Sequence, residues 1–224
     1  MNIASFIDHT ILKPTTILNE VDKICEEAMA YNFAAVCVPP NYVEHASIAL
    51  QKSKVKVATV IGFPFGYTYV ETKTAETRQA IENGAAEIDM VINIAALKNG
   101  DYKYLKQEVV FVLNVVRSHG VVLKVIIESG ILSNEEITKC CELYGSQQVD
   151  FVKTSTGYAE KGATIEAVQL MRQHLPSGIG IKASGGIKTF DFARQLINAG
   201  ATRLGCSASI AIVKGAAEKA DSNY

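Results

Sequence analysis

The feature that most restricts this chain is a recurring rhythm of short apolar runs alternating with amphipathic segments. Strand-like runs fall at Phe6–Ile7, Ala34–Val38, Val55–Ile61, Glu87–Ile94, Leu123–Glu128, Val149–Thr154, Gly178–Ala183 and Thr202–Cys206. Between them, segments such as Ile17–Tyr31, Thr72–Asn83, Tyr102–His119, Asn134–Leu143, Thr164–His174 and Phe190–Asn198 carry apolar residues at helical spacing. Gly84, Gly120, Gly145 and Gly200 follow helical runs, where a left-handed cap is expected. Ser133, with Glu136 three residues on, has the spacing of a capping box. Eight strands alternating with helices imply an α/β fold with a parallel sheet. At 224 residues a closed (β/α)8 TIM barrel is the natural assignment, one domain over residues 1–224. A doubly wound open sheet is the runner-up, but no GxGxxG follows the first strand.

Composition removes several function classes. The net charge of −1 gives no electrostatic reason for nucleic acid or an acidic membrane as a partner. No apolar run reaches the length of a membrane span, and the first residues lack the basic and apolar regions of a signal peptide. Cys25, Cys37, Cys140, Cys141 and Cys206 are odd in number and show no CxxC spacing. They read as reduced thiols of a cytoplasmic protein, not as a disulfide framework or a zinc site.

In such a barrel the chemistry collects at the C-terminal ends of the strands. Lys153 ends the apolar run Val149–Val152 and is followed by the small residues Thr154, Ser155, Thr156 and Gly157. A lone lysine there is more often a snorkelling or ion-paired residue. Lys182, at a matching depth on the next strand, changes the balance. Two ammonium groups crowded in a low-dielectric site repel, and one loses its proton more easily. Asp89 lies inside the strand EIDMVINI, where an unpaired carboxylate is costly. It reads as a salt-bridge partner of a lysine, as a proton-handling carboxylate, or as both. Ser184–Gly185–Gly186 and Gly205–Cys206–Ser207 follow the seventh and eighth strands, the usual phosphate-binding position in barrels, and Lys188 adds a positive charge nearby. Asp8 and Thr10 hold a water or substrate hydroxyl, or merely cap a turn. Glu128 orients a lysine or simply begins a loop. Cys37 is counted with the substrate-lining residues, although such a cysteine is more often a small buried hydrophobe. The four histidines form no triad or metal set.

The segments DHTILKP (Asp8–Pro14), VIGFPFG (Val60–Gly66), EIDMVINIAALKNG (Glu87–Gly100), LKVIIESG (Leu123–Gly130), DFVKTSTG (Asp150–Gly157), IKASGGIKT (Ile181–Thr189) and AGATRLGCS (Ala199–Ser207) run in one order over nearly the whole chain. In these the chain resembles the deoxyribose-phosphate aldolase family of class I aldolases. The resemblance implies a (β/α)8 barrel that interconverts 2-deoxy-D-ribose 5-phosphate with D-glyceraldehyde 3-phosphate and acetaldehyde. It implies Lys153 as the Schiff-base lysine, Lys182 as the lysine that lowers its pKa, and Asp89 as an acid/base carboxylate working through water. It assigns Gly157, Gly185, Gly186, Gly205 and Ser207 to phosphate binding, and Asp8, Thr10 and Thr156 to the lining of the site. No cofactor and no metal are expected, and a homodimer follows by resemblance. Lys188 departs from an arginine found in other members, losing a planar fork for phosphate. Cys206 and Ala208 stand in a loop usually richer in hydroxyls. Set against this are a sugar-phosphate isomerase or synthase without a Schiff base, a metal-dependent aldolase, and a non-catalytic binding barrel.

Overall fold

A computed structural model describes residues 2–221. The expected domain also takes in Met1 and residues 222–224, which lie outside the described residues. A short 3-10 turn, Ile3–Phe6, leads into β1 (Ile7–Thr10). Then follow α1 (Leu18–Tyr31), β2 (Ala35–Val38), α2 (Val43–Leu50), β3 (Lys56–Ile61), α3 (Val70–Glu82), β4 (Glu87–Val91), α4 (Ile94–Lys98), α5 (Tyr102–Ser118) and β5 (Val122–Ile126). The chain continues through α6 (Asn134–Ser146), β6 (Phe151–Lys153), α7 (Ile165–His174), β7 (Gly180–Ser184), α8 (Phe190–Asn198), β8 (Arg203–Cys206) and α9 (Ser209–Asp221). The strands pair in chain order, all parallel, and β8 closes on β1. The fold is the (β/α)8 barrel that the alternation implied.

Strand alternation sorts residues into two layers. On β4, Ile88 and Met90 belong to the large apolar core outside the barrel wall, together with Val36, Val38, Leu105, Val109 and Val112. Burying that layer against the helices is the main favourable contribution to folding. Glu87, Asp89 and Val91 take the other face. The interior divides again: β2 and β3 contribute the small residues Ala35, Cys37, Ala58 and Val60, and this narrow apolar wall leaves room for long charged side chains opposite.

Several boundaries differ from the expected ones for local reasons. The first strand begins at Ile7 and runs on through the polar Asp8–Thr10, because pairing with β2 and β8 outweighs side-chain polarity. The fourth strand stops at Val91, because Asn93 caps α4, its Oδ1 accepting from Ala96 N at 3.0 Å. Gly84, Gly120 and Gly200 have positive φ, but Gly145 lies inside α6 and the left-handed residue beyond that helix is Gln148. The capping box at Ser133 and Glu136 forms, with reciprocal bonds of 3.2 and 2.7 Å. Three helices, α2, α4 and α9, lay outside the helical periodicity read from the sequence. No helix among the described residues is long and apolar enough to cross a membrane.

Candidate active site

At the C-terminal face of the barrel a cavity of about 640 Å³ opens, its lining drawn mainly from the loops after β1, β6, β7 and β8 and from α1 and α9. Lys153 stands at its floor. Beneath it the interior is packed with charge. Register sets the level: Lys153 pairs with Lys182 across β6 and β7, and Asp89 with Lys124 across β4 and β5. Asp89 is the hub. Its Oδ2 accepts from Lys153 Nζ at 2.8 Å and from Lys182 Nζ at 2.7 Å, and its Oδ1 accepts from Lys124 Nζ at 2.8 Å. Lys182 also donates to Asp8 Oδ2. Lys124 reaches Glu87 at 2.6 Å, and Arg203 ties Asp8 (2.6 Å) to Glu87 (2.9 Å). Gly205 is required here by close approach: a Cβ on it would stand 2.9 Å from Ser184 Cβ and 3.1 Å from Lys182 Cε.

Electrostatics separates the lysines. Burial lowers the pKa of Lys153, and neighbouring Lys182 pushes it further down, while Asp89 opposes both. For Lys182 burial acts the same way, but Asp8 and Asp89 outweigh it and hold the ammonium charged. Lys124 also ends up raised: burial is opposed chiefly by Asp89, with Asp8 and Glu87 adding to it. Burial would raise Asp8, yet Lys182, Lys124 and Arg203 bring it down to about 2. Asp89 lies well below the usual carboxylate range because three lysines overcome its desolvation.

Thr10, Thr156, Gly157, Gly185, Gly186, Lys188, Gly205 and Ser207 line the cavity with Lys153. Gly157, Gly185 and Gly186 have φ of 89°, 85° and 77°, which lets their backbone bend toward a ligand where a side chain would be strained. Asp8, Asp89 and Lys182 do not line it; they lie one layer below, fully buried. Cys37 does not line it either. It packs in the apolar wall with Ala35, Ala58 and Val60, and burial pushes its thiol up to about 11. Cys206 is buried too, so its thiol does not stand in for a missing phosphate donor; Ala208 beside it does face the cavity.

Lys124, Glu87 and Arg203 went unnoticed in the sequence. The signal was available: Glu87 and Asp89 share parity on one strand, so both face the interior, and with Lys153 neutral Lys182 alone cannot balance two buried carboxylates. Glu128 begins the loop after β5, one of the two readings given for it, and bonds a threonine, not a lysine. It sits buried with φ 57°, and its carboxylate accepts from Thr156 N at 3.2 and 3.3 Å and from Thr156 Oγ1. Burial raises its pKa and these bonds counter the rise. Among the histidines, His9 bonds Glu27 at 2.7 Å and both line the cavity, while His45 bonds Asp22 at 2.6 Å.

Comparison with known proteins places this geometry in a family context. Residues 3–215 match the model of the DeoC/LacD family aldolases. A deoxyribose-phosphate aldolase of Caldanaerobacter subterraneus subsp. tengcongensis is 50% identical over 96% of this chain and 93% of its own length. One from Exiguobacterium sp. is 48% identical over the full length of both. Among solved structures, a tetrameric deoxyribose phosphate aldolase from Aeropyrum pernix superposes with a TM-score of 0.91 at 31% identity, over 97% of this chain and 92% of that one.

Proposed function

The chain belongs to the DeoC/LacD family of aldolases, and from that premise we propose that Lys153 is the amine that bonds substrate covalently. The activity is class I, Schiff-base aldolase chemistry, the reversible cleavage of 2-deoxy-D-ribose 5-phosphate to D-glyceraldehyde 3-phosphate and acetaldehyde. The observation that carries the assignment is position: of the lysines gathered around Asp89, Lys153 alone lines the cavity, and it is the one whose pKa is lowered.

In this reading the neutral Lys153 amine adds to the aldehyde carbon of the open-chain sugar phosphate. Loss of water gives an iminium. The hydroxyl on the third carbon gives up its proton, and the bond between the second and third carbons breaks. Its electron pair moves into the iminium, leaving an enamine on Lys153 and glyceraldehyde 3-phosphate free to depart. Protonation of the enamine carbon and addition of water then release acetaldehyde and the amine. Lys182, held charged by Asp8 and Asp89, keeps Lys153 poised for the first step. Asp89 is a weak base at rest because ammonium groups occupy both its oxygens. Iminium formation leaves Lys153 with a single, positively charged N–H beside Oδ2. That oxygen is our candidate to take the hydroxyl proton through a water.

The phosphate is assigned to Gly157, Gly185, Gly186, Gly205 and Ser207, with Lys188 as the nearby positive charge. Support comes from the backbone curvature of the three positive-φ glycines and from α9, whose N-terminus begins at Ser209 just past Ser207. Thr10 and Thr156 are assigned to the sugar hydroxyls, and Asp8 acts from below through Lys182. One domain over residues 1–224, a cytoplasmic location and a homodimer belong to the same proposal. The free, buried thiols of all five cysteines support the location. Sedimentation as a monomer would refute the dimer.

Reduction with cyanoborohydride in the presence of acetaldehyde tests the central claim. The expected product is N-ethyl lysine at position 153, found by peptide mass. Label on another lysine, or on none, overturns the assignment.

A further inference from the structure

Glu128 is an acidic residue in a backbone conformation that disfavours it, with φ 57° and ψ 55° and 3% of its surface exposed. Its carboxylate is spent on one residue. Thr156 gives it both its backbone N–H and its hydroxyl. The surrounding backbone is laced the same way: Ile127 N donates to Lys153 O at 3.0 Å and Ser129 N to Thr154 O at 2.7 Å. The loop after β5 therefore holds the loop after β6 from Lys153 to Thr156.

The hydrogen-bond inventory of Thr156 has a chemical consequence. A carboxylate only accepts, so the Thr156 proton is committed to Glu128. Tyr158 N–H donates to Thr156 Oγ1 at 3.0 Å and takes one lone pair. One lone pair is left on an oxygen of a residue that lines the cavity beside Lys153. A hydroxyl in that state accepts and does not donate. Its complement is an O–H group on the ligand, which a carbonyl or ether oxygen cannot supply.

We propose that Glu128 is a positioning residue that fixes Thr156 Oγ1 as a hydrogen-bond acceptor, so that the site reads a hydroxyl on the carbon chain between the aldehyde and the phosphate. The proposal rests on Lys153 being the Schiff-base amine. It explains why a buried acid is kept in a left-handed turn where glycine or asparagine would sit more easily.

Two reactions separate this role from a purely structural one. Cleavage of deoxyribose 5-phosphate needs the hydroxyl contact; cyanoborohydride trapping of acetaldehyde does not, because acetaldehyde has no hydroxyl. Glu128→Gln keeps the side chain's shape, Glu128→Gly suits the left-handed backbone, and Thr156→Val removes the acceptor. Glu128→Gly and Thr156→Val should each lower kcat for cleavage by about tenfold to a hundredfold, as misplacement of a substrate-orienting group does. Glu128→Gln, which retains one accepting oxygen, should lose less. KM should change by less than about threefold, since the phosphate loops after β7 and β8 are untouched, and the two truncations combined should cost little more than the worse one. Trapping on Lys153 should fall by at least about tenfold less than cleavage. Cleavage unaffected in Glu128→Gly, trapping lost in parallel with cleavage, or fully multiplicative losses in the double variant would each overturn the proposal. Failure of the unsubstituted protein to trap acetaldehyde on Lys153 would instead strike the Schiff-base reading beneath it.

Discussion

Replacing Lys182 by methionine removes the cation that shares Asp89 Oδ2 with Lys153. The two nitrogens stand 2.7 and 2.8 Å from that one oxygen, so they are at most about 5.5 Å apart. Two unit charges at that distance repel by about 3 kcal/mol at an effective dielectric constant of about 20. Loss of that repulsion favours the charged form of Lys153, and freeing Asp89 Oδ2 to bond Lys153 alone acts in the same direction. At a fixed neutral pH the uncharged fraction of Lys153 should fall on the order of a hundredfold. The assay is the rate of cyanoborohydride trapping of acetaldehyde on Lys153 as a function of pH, run well below the variant's melting temperature. Trapping should be slowed by about two orders of magnitude near neutrality. The rising limb of the profile should move to higher pH, and trapping should recover at alkaline pH as the amine deprotonates. Asp8 keeps Arg203 at 2.6 Å and Asp89 keeps Lys124 at 2.8 Å, so both carboxylates retain a cation in the variant. A profile that stays in place or moves to lower pH would refute the electrostatic reasoning. Slow trapping that does not recover at high pH would show that Lys182 does something other than lower a pKa.

Other consequences can be measured separately. Burial holds Lys153 below its ordinary value of 10.5, so the unfolded chain binds that proton more tightly. The folded state bears the penalty in full below the folded pKa and sheds it as pH rises toward 10.5. Lys153→Met should therefore raise Tm near neutrality, with the gain shrinking in alkaline buffer, while abolishing cleavage. Lys188→Ala should raise KM for the phosphorylated sugar by roughly five- to tenfold and leave turnover of unphosphorylated 2-deoxyribose unchanged, since this exposed ammonium is partly screened by solvent. Away from the cavity, Lys73 Nζ and Glu108 form a fully buried pair at 2.5 Å that also holds Val91 O and Asn93 N at the end of β4. Glu108→Gln should cost about 3 kcal/mol in urea unfolding, and adding Lys73→Met should restore part of it.

The sequence carried the architecture because strand and helix periods are local: eight apolar runs and the helices between them are visible residue by residue. What it hid lies in the third dimension. Arg203 sits in an ordinary-looking ATRLG, and its ties to Asp8 and Glu87 span 195 and 116 positions. Lys124 looks like one charge in VLKVI until β5 is placed beside β4. Asp8 and Cys37 show the converse. Both are on strands that end at the open face, but both point into the wall or floor and not into the cavity, and depth along a strand cannot be read from alternation alone. Helix α4 was hidden because INIAALK continues the apolar run of β4, and only the Asn93 cap separates strand from helix.

The interior charges favour Lys153 as the lysine that surrenders its proton, as the proposed function requires. Among the described residues, Asp8, Glu87 and Asp89 meet Lys124, Lys153, Lys182 and Arg203 in one connected cluster. With Lys153 neutral the positive and negative charges balance; with it protonated, one positive charge is in excess where water scarcely reaches. Each of the other cations bridges at least two carboxylates: Lys182 joins Asp8 to Asp89, Lys124 joins Asp89 to Glu87 and stands 3.7 Å from Asp8, and Arg203 joins Asp8 to Glu87. Lys153 has Asp89 alone. Removing a proton from any of the three bridging cations weakens at least two contacts and leaves the excess charge on Lys153. Removing it from Lys153 weakens one contact and restores neutrality. The amine with the fewest partners is also the one that lines the cavity, so the arrangement that balances the core favours a neutral nitrogen where the proposed chemistry needs one.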